Sequence, residues 1–139
     1  MIKFRTLEKN DLEEVFNLLQ QLTEIDYSDR NLGECWNSFI GNTSSNSIVG
    51  LYKGKIVAYG SIVIENKIRG EVAGHIEDIV VDKIVRGKNI GVKLIKELVK
   101  IGKSKGCYRV TLLCKEDLAE FYNKNNFKVG GIAMKVFTK

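Results

Sequence analysis

The order of hydrophobic patterns along the chain predicts an α/β fold, a mixed sheet with helices on both faces, in one domain spanning residues 1–139. Three observations predict it. Segments of strand-like patterning alternate with segments whose apolar residues recur every three or four positions. An Ile/Val-rich strand runs through a short Gly-containing turn into a long amphipathic helix. No internal repeat or low-complexity tract interrupts the chain, and 139 residues bury a core without disulfide or metal staples.

The elements follow in the order β-α-α-β-β-β-α-β-α-β. Ile2 to Thr6 alternates and reads as a short strand. Glu8-Lys9-Asn10-Asp11 is a turn, with Asn10 as N-cap and Glu13 three residues later in the manner of a capping box. Leu12, Val15, Phe16, Leu19 and Leu22 then hold helical spacing, which predicts a helix from about Asp11 to Ile25. The polar stretch from Asp26 to Asn31 breaks it, and Leu32 to Ile40 reads as a second helix with Trp36, Phe39 and Ile40 facing inward. Gly41 to Ser47 is rich in Asn, Ser and Thr and reads as a loop.

Two strands, Ile48 to Tyr52 and Lys55 to Glu65, flank the Lys53-Gly54 turn, and Val72 to Asp82 forms the next. From about Lys88 to Lys103 a helix carries Ile90, Leu94, Ile95, Leu98 and Ile101 on one face and lysines on the rest. Gly106 suits its C′ position. Tyr108 to Leu113 is a strand, Glu116 to Asn125 a helix, and Lys128 to Phe137 a final strand.

Composition narrows the class. The chain is 44% hydrophobic and 28% charged, as ordinary globular proteins are, and no apolar run reaches membrane-spanning length. Its charged, strand-like N-terminus is unlike a secretory signal, so a cytoplasmic protein without a membrane partner is expected. Cys35, Cys107 and Cys114 are odd in number, form no Cys-x-x-Cys, and are accompanied by one histidine, His75. Buried free thiols and the absence of a metal site are expected, with His75 structural. The net charge of +5 suits an acidic partner, but the basic residues are dispersed, so a polyphosphate-bearing small molecule fits as well as nucleic acid does.

The most informative stretch runs from Val72 to Gly102. A strand feeding Arg86-Gly87-Lys88-Asn89-Ile90-Gly91 and then a helix N-terminus gathers free backbone N–H groups and the positive end of the helix dipole at one point, a site for an anion such as a pyrophosphate. The chain has no Gly-x-x-x-x-Gly-Lys-Ser/Thr, no Gly-x-Gly-x-x-Gly and no Gly-x-Ser-x-Gly. Glu77 and Asp78 are neighbours on a strand, so alternation predicts opposite faces for them. An Asp inside an Ile/Val run is unusual enough to suggest function. Tyr122, by helix spacing alone, reads as core beside Leu118 and Phe121.

The loop resembles the pyrophosphate loop of the GNAT superfamily of N-acetyltransferases, Arg/Gln-x-x-Gly-x-Gly/Ala. Arg86 and Gly91 match its ends, and Asn89 replaces the middle glycine. Asn enters the left-handed region more readily than other non-Gly residues, so the replacement is mild. Gly74-His75-Ile76-Glu77-Asp78, Gly106-Cys107-Tyr108-Arg109-Val110 and Phe121-Tyr122-x-Lys124-x-x-Phe127 occur in the order and at the distances of the branch that acts on glucosamine 6-phosphate. Between Lys67 and Phe127 the resemblance is dense; before Lys67 it is thinner.

The resemblance implies a mixed, mostly antiparallel sheet and direct transfer of acetyl from acetyl-CoA to the sugar amine in a ternary complex. It implies that the backbone of Ile79, Val80 and Val81 pairs with the pantetheine arm. A backbone N–H near Ile79 would polarise the thioester carbonyl. Arg86, Gly87, Lys88, Asn89, Ile90, Gly91 and Val92 would hold the pyrophosphate, without a metal. Tyr122 would lie near the CoA sulfur and protonate the leaving thiolate. Glu77 and Asp78 would contact the amino sugar and its amine, Thr23 would lie near the sugar, and Lys67, with Arg69 in the same basic segment, would lie near the substrate, where a basic group suits a sugar phosphate. A homodimer joined at the C-terminal strand is also implied.

Three positions depart from the pattern. Leu113 stands where relatives carry an acid that positions or deprotonates the amine, which leaves the base role to water, backbone carbonyls, Asp78 or Glu77. Leu118 stands where the superfamily often has Asn, and Phe137 near where relatives place a basic residue that reaches the sugar phosphate across a dimer. An acetyltransferase for another small amine or a protein amine, and a non-catalytic module binding CoA or nucleic acid, are the other readings.

Overall fold

A computed structural model describes residues 1–22 and 26–139. Five strands make one sheet: β1 (Ile2–Thr6), β2 (Ser45–Tyr52), β3 (Lys55–Asn66), β4 (Val72–Val81) and β5 (Arg109–Leu112). They lie side by side in sequence order. The first three pairings are antiparallel, and β4 pairs with β5 in parallel. Four helices flank the sheet: α1 (Leu12–Leu19), α2 (Leu32–Ile40), α3 (Ile90–Ser104) and α4 (Ala119–Lys124).

Alternation along the strands divides the core in two. On one face Ile48, Ala58, Ile62, Ile64 and Ile76 pack under Ile90, Leu94 and Leu98 of α3. On the other, Val49, Ile56, Tyr59 and Val80 pack under Leu12, Val15 and Leu18 of α1. Leu94, Leu98 and Ile62 are wholly buried, positions where truncation to Ala costs roughly 2–5 kcal/mol. The approach of α3 to the sheet is set by Gly60: a Cβ there would lie 2.8 Å from Leu98 Cδ1 and 3.3 Å from Leu94 Cδ1. α3 ends as its sequence predicts. Gly106 adopts φ +85°, its N–H donates to the Lys103 carbonyl, and the Cys107 N–H donates to Gly102, which closes a Schellman turn.

Four expectations are corrected. The first helix is shorter than Asp11–Ile25: α1 ends at Leu19, turns continue to Leu22, and residues 23–25 lie outside those described. Its start is organised by Asp11 rather than by Asn10 and Glu13, with the Glu8 N–H donating to Asp11 Oδ2 at 2.8 Å. Ile40 is half exposed although Trp36 and Phe39 face the core. Residues 128–139 form no strand: their side chains are exposed and no neighbouring strand accepts them. Among the described residues, no helix is long and apolar enough to cross a membrane.

Asp11 also ties α1 to the edge of the sheet. Arg5 on β1 grips it with two hydrogen bonds, Nη1 to Oδ2 at 2.7 Å and Nη2 to Oδ1 at 2.9 Å. The Arg5 guanidinium holds the Asp11 carboxyl below the ordinary carboxylate value despite the opposing effect of burial, and the Glu8 N–H adds to the lowering. Because the folded-state value is depressed, the unfolded chain binds more protons as pH falls through the unfolded value of about 3.9, so stability drops there. Asp11→Ala is expected to cost about 1–2 kcal/mol at pH 7, chiefly by leaving the Glu8 N–H without its acceptor, because the Arg5 guanidinium is partly exposed and keeps Glu8 as a partner. The Tm difference between wild type and Asp11→Ala should narrow between pH 5 and pH 3, as read by calorimetry.

Candidate active site

The sheet is irregular at one place. Ser61 of β3 faces Glu77 of β4, and Tyr59 faces Val80, so three residues of β4 span what two residues of β3 span. The extra residue is a β-bulge centred on Asp78, whose φ is +54°. Core packing shows the consequence: Ile76 and then Ile79 pack with the α3 core, three positions apart, and Val80 packs with the α1 core. Alternation is therefore reset between them. Glu77 shares the α1 side with Ser61, its cross-strand partner, and Asp78 lies close enough to Tyr59 on that side for its charge to push the phenol pKa up, after burial, the larger cause. The expectation that Glu77 and Asp78 point to opposite faces assumed unbroken alternation, and the bulge at Asp78 interrupts it; both carboxylates are exposed there.

Beneath them runs a buried chain of hydroxyls. The Ser47 hydroxyl donates to Ser61 Oγ at 3.0 Å, Ser61 donates to the Asn46 carbonyl at 3.4 Å, and Tyr59 Oη donates to Ser47 Oγ at 3.0 Å. Every hydrogen is used and the chain ends on backbone, so it sets this floor rigidly.

The second irregularity lies on the other edge of β4. Pairing with β5 covers only Ala73 to Ile76, opposite Arg109 to Leu112. Among the described residues, β4 from Glu77 onward is paired on the β3 side only, so the backbone edge at Ile79 and Val81 has no strand partner. Val80 is buried against α1. From this edge the chain runs through Lys83–Val85 to the turn before α3. Gly87 sits at φ +90° and Asn89 at φ +60°, the left-handed conformation that excuses the missing glycine. The Asn89 side chain makes no cap hydrogen bond, so the N–H groups of Ile90, Gly91 and Val92 open the helix without a side-chain partner. Arg86, Gly87, Lys88 and Asn89 are exposed around them, while the Ile90 side chain belongs to the core. A Cβ on Gly91 would meet Phe121 Cζ at 3.7 Å and Val81 Cγ2 at 4.0 Å, ordinary contacts. The chain itself does not need glycine at 91, which suits close approach by a bound phosphate group.

α4 closes this end. Phe121 reaches Gly91, and the Phe121, Tyr122 and Phe127 rings meet edge to face, with centroids 5.1 Å and 5.9 Å apart. Tyr122 is half buried beside Cys114, just past the end of β5. Burial, and then Cys114, push its phenol pKa up, so it is a neutral proton donor across the physiological range. Of the departures, Leu113 is 69% exposed and brings no acid to the site, and Leu118 and Phe137 are exposed as well.

Lys67 follows β3 and bonds Glu65 at 3.2 Å; Arg69 is engaged by Glu71 at 2.6 Å and by the Tyr108 hydroxyl at 3.2 Å. Thr23 lies outside the described residues. Among the described residues no cluster of three or more His, Cys, Asp or Glu could hold a metal. The three thiols are free and half buried, and burial pushes the Cys107 pKa up. Sequence reasoning missed the bulge and the hydroxyl chain. The available signal was Glu-Asp breaking an Ile/Val run, a polar pair that a regular strand would have had to bury on one side.

Comparison with known proteins agrees with this geometry. The model of the acetyltransferase (GNAT) family matches residues 12–127. The chain is 35% identical to glucosamine 6-phosphate N-acetyltransferase 1 of Dictyostelium discoideum, with 98% of this chain and 90% of that protein covered. It is 34% identical to glucosamine 6-phosphate N-acetyltransferase of Trypanosoma brucei brucei, covering 91% and 89%. The crystal structure of the Arabidopsis thaliana glucosamine-6-phosphate N-acetyltransferase superposes with a TM-score of 0.90 at 34% identity, over 100% of this chain and 99% of that one.

The left-handed backbone at Asp78 has a direct test. Asp78→Gly is expected to leave thermal stability unchanged or slightly raised. Asp78→Val, with a β-branched side chain at positive φ, should lose about 1–3 kcal/mol by denaturant melting. Equal stability of the two variants would argue against the bulge.

Proposed function

The chain belongs to the acetyltransferase (GNAT) family, and we propose that it moves the acetyl group of acetyl-CoA onto the amine of glucosamine 6-phosphate. The observation that carries this reading is that the bulge and the unpaired edge meet. The exposed carboxylates of Glu77 and Asp78 stand at the bulge, at the point where β4 ceases to pair with β5. An acceptor amine held by the first and a thioester laid along the second come within reach of each other.

The residues divide the work by position. The free edge of β4 at Ile79 and Val81 pairs with the pantetheine amides as an added strand would. Gly87, Asn89 and the N–H groups of Ile90, Gly91 and Val92 receive the pyrophosphate, with Arg86 and Lys88 adding charge. A backbone N–H beside Ile79 donates to the thioester oxygen, and such a donor is typically worth about 10²–10³ in rate. Glu77 and Asp78 accept hydrogen bonds from the amine and aim its lone pair at the carbonyl carbon. As the C–N bond forms and the C–S bond breaks, the proton lost by nitrogen goes to one of these carboxylates or to water. The Tyr122 hydroxyl donates to the departing sulfur.

The substrate reading has support of its own. His75 lies two residue steps, roughly 7 Å, along β4 from Glu77 on the same open side of the sheet, and Lys67 lies beyond it, bonded to the Glu65 carboxylate that His75 also holds. A basic group displaced along the sheet from the carboxylates suits an acceptor with an amine toward one end and a phosphate toward the other. Thr23 joins this acceptor set through the family resemblance.

A homodimer completes the proposal. Ile132, Met134 and Val136 alternate along residues 128–139, each more than 80% exposed, as is Phe137. An apolar alternating segment without a strand partner in its own chain is suited to a second copy. The protein is then expected in the cytoplasm, where acetyl-CoA and sugar phosphates are available.

Four outcomes are expected. Purified protein should release CoA with glucosamine 6-phosphate and far less with other amines; turnover of a different amine only would reject the acceptor. Tyr122→Phe should lower kcat about 10- to 100-fold with little change in acetyl-CoA binding, whereas an unchanged kcat would return Tyr122 to a packing role. Gly91→Asp should fold with wild-type stability yet weaken CoA at least about 10-fold by calorimetry, and unaltered affinity would reject the pyrophosphate assignment. Light scattering should give the mass of two chains, reduced to one by Ile132→Glu with Val136→Glu.

A further inference from the structure

His75 is the one histidine of the chain, and composition alone makes it a structural residue. Its contacts are specific. Nε2 bonds Glu65 Oε1 at 2.9 Å, and Nδ1 bonds Thr111 Oγ1 at 2.8 Å. Glu65 Oε1 in turn takes the Lys67 ammonium at 3.2 Å. Four side chains from β5, β4, β3 and the turn after β3 thus form one line across the open face of the sheet. The neutral imidazole satisfies it completely, with Nε2–H donating to Glu65 and the Thr111 hydroxyl donating to Nδ1. The two bonds to His75 and Lys67 hold the Glu65 carboxyl below its ordinary value, with His75 the larger cause, so Glu65 stays an anion that anchors both.

The effect on Lys67 is visible in its exposure. The turn after β3 runs Lys67-Ile68-Arg69-Gly70, and Ile68 stands fully in solvent. The Lys67 side chain next to it is only 19% exposed and lies down on the sheet. Hydrophobicity orders these two residues the other way round. What holds the lysine down is the carboxylate, and what holds the carboxylate is His75. Arg69, by contrast, is already tied off by Glu71 and Tyr108.

We infer that His75 is a positioning residue: acting through Glu65, it fixes the Lys67 ammonium where the phosphate of the acceptor sugar binds. The inference rests on the proposed acceptor, a hexosamine phosphate. A lysine loses rotamer freedom when it grips a phosphate, and a side chain already laid in place loses less. The line Thr111–His75–Glu65 therefore contributes to acceptor affinity without touching acceptor, cofactor or the reacting atoms.

Steady-state kinetics on the full-length protein test it. His75→Ala is expected to raise KM for glucosamine 6-phosphate about 5- to 10-fold. It should leave kcat within about twofold and KM for acetyl-CoA unchanged. His75→Gln, whose amide nitrogen can take the place of Nε2, should restore most of the wild-type KM. In a Lys67→Ala background, His75→Ala should add nothing, because its effect passes through that lysine. An unchanged KM in His75→Ala, or the same fold increase with and without Lys67, overturns the assignment while leaving the acceptor intact. Wild-type protein inactive on glucosamine 6-phosphate, yet active on another amine, overturns the acceptor and this assignment with it.

Discussion

Three residues of β4 occupy the length of two residues of β3, and the rest of the site depends on that mismatch. Between the Ser61–Glu77 and Tyr59–Val80 pairs the only β3 residue is Gly60. Gly60 faces Leu94 and Leu98, which leave no room for a Cβ. The surplus residue cannot be absorbed on the α3 side, where the helix lies against the sheet. It is taken up in the bulge, where Asp78 adopts a left-handed backbone and stands exposed. Close packing at Gly60 thus leaves the Asp78 carboxylate in solvent beside that of Glu77. The left-handed conformation costs Asp less than most residues, because its short polar side chain tolerates it.

The pairing of β4 with β5 stops at Ile76 and Leu112, immediately before the bulge begins. The bulge and the start of the unpaired edge coincide, which in the proposed reading sets the carboxylates that hold an amine beside the edge that takes an extended cofactor arm. The two are also tied together from outside. Gln21, beyond α1, accepts the Lys83 N–H at 3.1 Å, and Asp82 accepts the Ile84 N–H at 3.0 Å. The end of α1, on the acceptor side, is thereby joined to the turn that leads into the anion-binding loop.

Much of this was legible in the residues. The α3 pattern, its terminal Gly106 and the loop ahead of it needed only helical periodicity and turn chemistry, and Asn89 adopts the positive φ that its replacement of glycine demanded. What stayed hidden depends on pairing. Alternation assigns Glu77 and Asp78 to opposite faces because it assumes equal counts on paired strands, and no local signal reveals that Gly60 faces two residues. The same limit hid the line from Thr111 to Lys67, whose members are spread between residues 65 and 111. Residues 128–139 failed in the opposite way: the alternation from Ile132 to Val136 is strand-like, but a strand requires a neighbour, and none pairs with this segment among the described residues.

The exposed Leu113 then constrains how the reaction can be accelerated. A dedicated general base contributes typically 10²–10⁴ in rate. Holding two reactants in line is worth effective molarities of about 10⁵–10⁸ M. With leucine at 113, where the family resemblance implies an acid, the proposed reaction gives up part of the smaller term and keeps the larger one, provided that the amine stays aimed at the thioester. In that proposal aim depends on holding the acceptor at both ends, its amine by Glu77 and Asp78 and its phosphate by Lys67. Rigid support is found at both ends. The buried hydroxyls of Ser47, Tyr59 and Ser61 lie under the carboxylates, and the Thr111–His75–Glu65 line secures the lysine. On this account the polar residues of the sheet face serve as the rigid frame that lets proximity replace a missing base.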